Sequence, residues 1–181
     1  HISPMGRRIG ERLVAKGLLS RRQVDEALQS QLLAGGTIGT SLLDMGHIDE
    51  ENLGEALAEL LRVDYAERSR LHGIPKETVE RLPAELAEKH RAIPVAFDEE
   101  TNTLEVVAMH PKMLGSLSRI TGYKIEASIA PEVRIFEALE RYYGIALRPR
   151  YARIVRDLDR RRASRKKARE AVVASAQPDV R

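Results

Sequence analysis

RIGERLVAKGLLSRRQVDEAL (residues 8–28) and TIGTSLLDMGHIDEENLGEAL (residues 37–57) are one short unit written twice, 29 positions apart (37 minus 8). Ile9 aligns with Ile38, Gly10 with Gly39, Leu13 with Leu42 and Gly17 with Gly46, and both copies close on Glu-Ala-Leu. Val14/Leu43, Leu19/Ile48 and Val24/Leu53 are conservative matches. Identity falls on glycine and aliphatic positions, which set backbone and packing, while the other positions differ. This is the mark of a structural unit used twice. Two copies are too few for a solenoid, so the expected arrangement is a compact pseudo-symmetric pair. Like sites side by side suit a ligand that is itself two-fold symmetric.

Each unit reads as a short helix, a glycine turn and a longer helix. Ile9, Leu13 and Val14 have helical spacing, and Gly17 sits where a left-handed C-cap is wanted. Ser20 followed by Gln23 resembles a capping box that opens a helix running through Leu33, stopped by Gly35-Gly36. In the second unit Gly46 is the stop and Asp49 the N-cap. Residues 62–74 read as a polar connector, followed by short helices after Pro75 and from Ala84 to His90. The period then changes. AIPVAF (92–97) and TLEVVAM (103–109) are strand-like and joined by a polar turn, and YKIEASIA (123–130) alternates as a half-buried strand does. LGSLSRI (114–120) and VRIFEALERYY (133–143) read as helices, the second with Pro131 at its start and Gly144 at its end.

The expected class is therefore α+β: a four-helix doubled repeat, then a three-stranded sheet with helices in the order β-β-α-β-α, then a basic tail. The expected boundaries are 6–64 for the helical part (copies at 8–31 and 37–60), 65–147 for the α/β part and 148–181 for the tail. His1 to Pro4 read as an expression scar, with Met5 as the natural start, so residues 1–5 are set apart from the fold. In the tail, Tyr151, Ile154, Val155 and Leu158 have helical spacing. RRRASRKKARE beyond them lacks an apolar face and reads as a frayed helix or linker, with a disordered end. The natural chain is expected to continue past Arg181.

Composition narrows function. Aromatics are 4% with no Trp, which argues against base-stacking platforms, and the absence of Cys removes disulfides and thiolate chemistry. No apolar run approaches the roughly 18 residues of a membrane span. The net charge of +3 hides an asymmetry: residues 148–170 carry 11 Lys/Arg against 3 Asp/Glu, an excess of 8 that leaves the rest at −5. Such a run attracts phosphate in a salt-dependent way, yet a solvated linker is its commoner meaning. There is no Walker A loop, Gly-x-Ser-x-Gly elbow or His-Glu-x-x-His helix. His47, His72 and His90 are scattered rather than at metal-ligand spacing, and Asp98, Glu99 and Glu100 read as a polar turn rather than paired catalytic carboxylates. No catalytic residue, metal or cofactor is expected.

The doubled unit resembles the N-terminal regulatory domain of type II secretion and type IV pilus assembly ATPases, the MshEN-like or GspE/PilB-type domain. That family's 24-residue motif, RLGxxLVxxGxIxxxxLxxALxxQ, matches Arg8 to Gln31, and Leu32 to Gly36 is its five-residue spacer. LPAELAEKHRAIPVAF, LEVVAMHP, SRITGYKIEASIAP and IFEALERYYG follow the family's order in the second half. The resemblance implies cyclic di-GMP binding without catalysis, as in some members, or docking of a cytoplasmic partner at the inner membrane, as in others.

Carried over by position, Arg8, Ile9, Gly10, Val24, Leu28 and Gln31 would form one half-site, and Ile38, Gly39, Leu53 and Leu57 the other. A glycine at a helix start admits a phosphate to free N–H groups, an Arg pairs with phosphate or guanine, and aliphatic side chains cover purine faces. The departures are Thr37 for a basic residue, Leu60 for Gln, Thr40 where binders can carry Asp, and His110 for the strand-end Asp before Pro. They thin the polar half of the site, mainly in the second copy, so affinity is expected to be reduced.

Period alone makes the aliphatic positions core, and glycines such as Gly17 and Gly46 turn and cap residues. An exposed Arg8 is by default a solvated charge. The favoured expectation is a cytoplasmic, non-catalytic regulatory module that binds cyclic di-GMP and serves a secretion or pilus machine, reached at the inner membrane through a partner. The alternative is a docking module whose nucleotide site has degenerated, and a tail-driven nucleic-acid binder trails both.

Overall fold

The computed structural model describes residues 4–176. The tandem units form four helices: α1 (Pro4–Ala15), α2 (Arg21–Ala34), α3 (Ile38–Asp44) and α4 (Glu50–Leu61). Their ends follow from local chemistry. The Ser20 hydroxyl accepts the Gln23 N–H while the Gln23 side chain accepts the Ser20 N–H, a complete capping box. The Thr37 and Asp49 side chains cap α3 and α4 by accepting the N–H groups of Thr40 and Asn52, without the reciprocal bond. Gly17 and Gly46 take the equivalent left-handed position, φ +73° and +71°, between the helices of each unit.

The pseudo-symmetry extends to side-chain packing. A methyl group on Gly10 would meet Val24 at 2.9 Å, and one on Gly39 would meet Leu53 at 3.1 Å. Gly10/Gly39 and Val24/Leu53 are equivalent pairs in the repeat, so each glycine lets the two helices of its unit close on one another.

After α4 the chain forms β1 (Asp64–Tyr65), α5 (Lys76–Glu80), α6 (Ala84–His90), β2 (Ala92–Asp98), β3 (Thr103–Ala108), α7 (Leu117–Thr121), β4 (Lys124–Ile129) and α8 (Glu132–Tyr143). The sheet has four strands in the order β1-β4-β3-β2, not three. β1 lies in the stretch read as a polar connector. Its two residues pair parallel to Ser128 and Ile129, so partnership with β4 creates the strand and no alternation in its own sequence announces it. β2 and β3 are antiparallel with an irregularity between Pro94 and Ala96, and β3 and β4 run parallel. In the β2–β3 turn, Asp98 accepts the backbone N–H groups of Glu100 and Thr101.

The tail is helical, as its spacing at Tyr151, Ile154, Val155 and Leu158 predicts, but it is neither frayed nor a linker. α9 (Pro149–Ala176) is one continuous helix of 28 residues. Tyr151, Ile154, Val155 and Leu158 enter the apolar core of the tandem units, together with Val133 of α8. A second core lies between the sheet and helices including α6 and α8. The basic residues that break the apolar pattern meet acids of the units. Arg150 and Arg153 reach Asp44, Arg162 pairs with Glu51, and Arg165 lies 3.6 Å from Asp49. Residues 177–181, where the disordered end was expected, lie outside the described residues.

Candidate functional site

A cavity of about 300 Å³ opens where the two units meet the sheet and the start of α8. One wall is copy one (Ile9 and Gln31, with Met5 and Gly6), and another is copy two (Ile38, Gly39, Leu53 and Leu57). Met109 and His110 from the end of β3 and Pro131 with Glu132 from the start of α8 close it. Of the residues singled out in the sequence, Ile9, Gln31, Ile38, Gly39, Leu53, Leu57 and His110 therefore share one cavity. Gly10, Val24 and Leu28 do not line it, and Gly10 and Val24 pack on each other instead. Arg8 is exposed on α1 and also lies off the wall.

The two copies are not equivalent at this level. α3 begins at Ile38, directly after Thr37, whereas α1 begins at Pro4, so Arg8-Ile9-Gly10 lie inside a helix rather than at its start. Pro4 and Met5, set apart in the sequence, form the first turn of α1, and Met5 faces the cavity.

The polar groups of the cavity bond mostly to one another. Glu132 is buried, 5% exposed. Its Oε2 accepts the Thr37 N–H at 2.8 Å and the Thr40 hydroxyl at 3.0 Å, and its Oε1 accepts the Tyr151 hydroxyl at 2.8 Å. Burial and the Glu132 charge push the Tyr151 hydroxyl up to about 12, so it stays a donor. An Asp at position 40 would set a second carboxylate against Glu132; the Thr40 hydroxyl donates to it instead. Gln31 donates to the Gly36 carbonyl at 3.1 Å, closing the loop between the units. Gly36 has φ +77°, and a methyl group there would lie 2.9 Å from the Tyr151 hydroxyl, so both conformation and space require glycine. Glu132 escaped the sequence reading because an acidic residue in a helix's first turn is ordinary. Only the fold brings it to Thr37 and Thr40.

His110 is different. Its Nδ1 accepts the Lys112 N–H at 3.0 Å and caps a short 3-10 turn, Pro111–Leu114. Burial, with the nearby Lys112 charge, holds its pKa below the usual histidine range. His72 is shifted the same way, by burial and by Arg141. Both shifts favour the neutral ring in the folded state, so below about pH 6.5 the unfolded chain binds more protons and stability falls as pH falls. Denaturant titrations at about pH 7.5 and about pH 5.5 are expected to show the lower midpoint in acid, and replacing both histidines by Gln is expected to flatten that slope.

Residues 71–149 match the MshEN domain family. That stretch of the chain is similar to an MshEN domain. The type IV pilus assembly ATPase PilB of Myxococcus xanthus is 35% identical over 143 residues, 77% of this chain and 25% of that protein. PilB of Thermus thermophilus is 29% identical over 140 residues, 76% of this chain and 16% of that protein. Bacteriophage adsorption protein B of Escherichia coli K12 shows 28% identity over 139 residues, 76% of this chain and 18% of that protein. The chain thus spans a quarter or less of these curated relatives. A solved structure of MshE with cdg (cyclic di-GMP) superposes with TM-score 0.57 at 29% identity, covering 75% of this chain and 98% of that one. The N-terminal domain of XpsE shares the fold at 18% identity and TM-score 0.55, covering 80% and 99%. No helix among the described residues is long and apolar enough to cross a membrane, and no group of three or more His, Asp or Glu among them could hold a metal ion.

Proposed function

We propose that this chain is a non-catalytic regulatory module that binds cyclic di-GMP in the cavity between its two units. The observation that carries this reading is the cavity itself. It draws walls from both copies of the repeat, in a fold that covers 98% of a MshE structure holding that nucleotide. Its lining is largely aliphatic, suited to purine faces, with a few convergent polar groups. Its own polar atoms are largely satisfied internally, which keeps affinity modest. The module would act in the cytoplasm as part of a secretion or pilus ATPase-type protein, reaching the inner membrane through a partner. It needs no cofactor.

Calorimetric titration of cyclic di-GMP, with GTP as control, tests the reading. Micromolar binding of the cyclic dinucleotide alone is expected. Leu57→Glu, which sets a carboxylate on the half-buried apolar wall facing an anionic ligand, is expected to remove that heat while leaving the melting temperature within a few degrees. Undiminished binding by Leu57→Glu would move the ligand out of this cavity, and no heat from the unaltered chain at millimolar nucleotide would end the reading.

A second reading is a protein-docking module whose nucleotide site has degenerated. It is favoured by Leu32 and Leu33, 62% and 91% exposed at the end of α2 beside the cavity residue Gln31. A nucleic-acid role for the tail is less well supported, because Arg150, Arg153, Arg162 and Arg165 are engaged with acids of the units.

A further inference from the structure

One side of β4 is unfinished. β3 runs along its whole length, from Thr103 beside Lys124 to Ala108 beside Ile129. On the other side β1 pairs only with Ser128 and Ile129, and the chain reaches β4 through a turn at Gly122, φ +78°. Lys124 to Ala127 therefore form an open sheet edge. The bonds already made show which backbone groups it offers. Lys124 N–H donates to the Asn102 carbonyl and Ala130 N–H to the Ala108 carbonyl, on the β3 side, while the Ile129 carbonyl accepts the Ala66 N–H on the β1 side. Backbone groups of successive residues point to opposite sides of a strand. The N–H and carbonyl of Ile125 thus point out of the open edge, and neither has a partner among the described residues. Lys124 and Glu126 flank it, exposed and on one face of the sheet, and neither forms an ion pair among the described residues. Glu126 lies beside Glu105 in the register, a like-charge pair, and Arg70 is already engaged by Glu105.

We propose that this edge pairs with the same edge of a second copy of the chain, antiparallel and centred on Ile125. A two-fold axis at that residue lets each Ile125 N–H donate to the other copy's Ile125 carbonyl, and it sets Lys124 of each copy opposite Glu126 of the other. Those are the close, non-hydrogen-bonded positions of an antiparallel ladder, where opposite charges attract and like charges repel. Lysine alone on an edge discourages strand addition. Lys-Ile-Glu, by contrast, is its own complement when the strand is reversed, so the edge selects its own copy. The partner also brings Glu126 the cation that Glu105 denies it. Three residues from each copy fall well short of the roughly 1,000 Å² of a lasting interface, so the dimer is weak, half formed at roughly 0.1–1 mM chain. A contact of this strength operates where copies are already held close, at millimolar effective concentration.

Sedimentation velocity without nucleotide, from about 0.02 to 2 mM chain, tests this with two variants and their mixture. The unaltered chain is expected to pass from monomer to dimer across that range, and to need several-fold more protein when the salt is raised to about 1 M. Lys124→Glu sets glutamate opposite glutamate twice, and Glu126→Lys sets lysine opposite lysine twice. Each variant alone is expected to associate at least tenfold more weakly than the unaltered chain. Mixed in equal amounts, the two restore both opposite-charge pairs and are expected to form a heterodimer at the unaltered chain's concentrations. That rescue also excludes misfolding as the cause of the single-variant losses, since a misfolded chain would not be recovered by its counterpart. The proposal is overturned if the unaltered chain stays monomeric to 2 mM, if either variant alone dimerises as the unaltered chain does, or if the mixture remains monomeric.

Discussion

Arg134→Ala is expected to lower the unfolding free energy by about 3–5 kcal/mol, a large fraction of the roughly 5–15 kcal/mol by which ordinary domains are stable. Arg134 is 1% exposed. Its Nε and Nη2 form a fork on Glu50 at 2.7 and 2.9 Å, Nη1 donates to Glu137 at 2.8 Å, and Nη2 also reaches Asp159 at 3.0 Å. One guanidinium thus joins α4, α8 and α9. Burial alone would lower its pKa, but the Glu50 hydrogen bonds and charge more than reverse this, and it stays charged. Truncation leaves the Glu50 carboxylate, 5% exposed, without its cation. The cost comes from that uncompensated charge rather than from the pair's intrinsic strength, so the variant Arg134→Met with Glu50→Leu should recover most of the loss. Urea titrations of both variants check the claim. Equal destabilisation of the single and double variants would show that packing, not charge, dominates.

Leu13→Ala and Leu42→Ala are each expected to cost about 2–5 kcal/mol, with nearly equal effects. The two residues are equivalent in the repeat, both are fully buried, and both belong to one core. Large-to-small changes lose transfer energy and leave a cavity that the surroundings only partly fill. If the copies are mechanically equivalent, the urea midpoints fall together with unchanged slope. A large loss at one position and a small one at the other would show that pseudo-symmetry of sequence does not extend to stability.

Much of this fold was legible in the sequence because its signals are local. Ser20, Gln23 and Asp49 cap helices through groups three residues apart, and Gly17, Gly46, Gly122 and Gly144 adopt positive φ at the ends of their elements. The alternation over residues 123–130 reports a strand buried on one face. What was not legible depends on distant partners. β1 is two residues long and exists by pairing with β4. The second half of α9 has no apolar face, and nothing within it signals the acids of α3 and α4 that meet its arginines.

The site divides along the same line. The repeat places Ile9, Ile38, Gly39, Leu53 and Leu57 together because the register of two copies is a sequence property. Glu132 and Tyr151 come from about 95 and 114 positions beyond Thr37 (132 and 151 minus 37) and become neighbours of Thr37 and Gly36 only through the tertiary fold. The forward extension of α1, which buries the expected helix start of copy one, was hidden because Pro4 and Met5 looked foreign to the fold.

Tyr151 stands on the third residue of a rod. At about 1.5 Å per residue, the 28 residues of α9 reach roughly 42 Å. The hydroxyl of Tyr151 is bonded to the same Glu132 that holds the start of α3 in the cavity wall. The first turn of the rod and the cavity thus share one carboxylate, and the rod stays fastened to the units as far as Arg165. The 11 residues beyond it (176 minus 165), about 16 Å of helix, project past the last of these contacts. A displacement at Glu132 is therefore carried by α9 together with α3 and α4, as one body, rather than by a pivot at Tyr151.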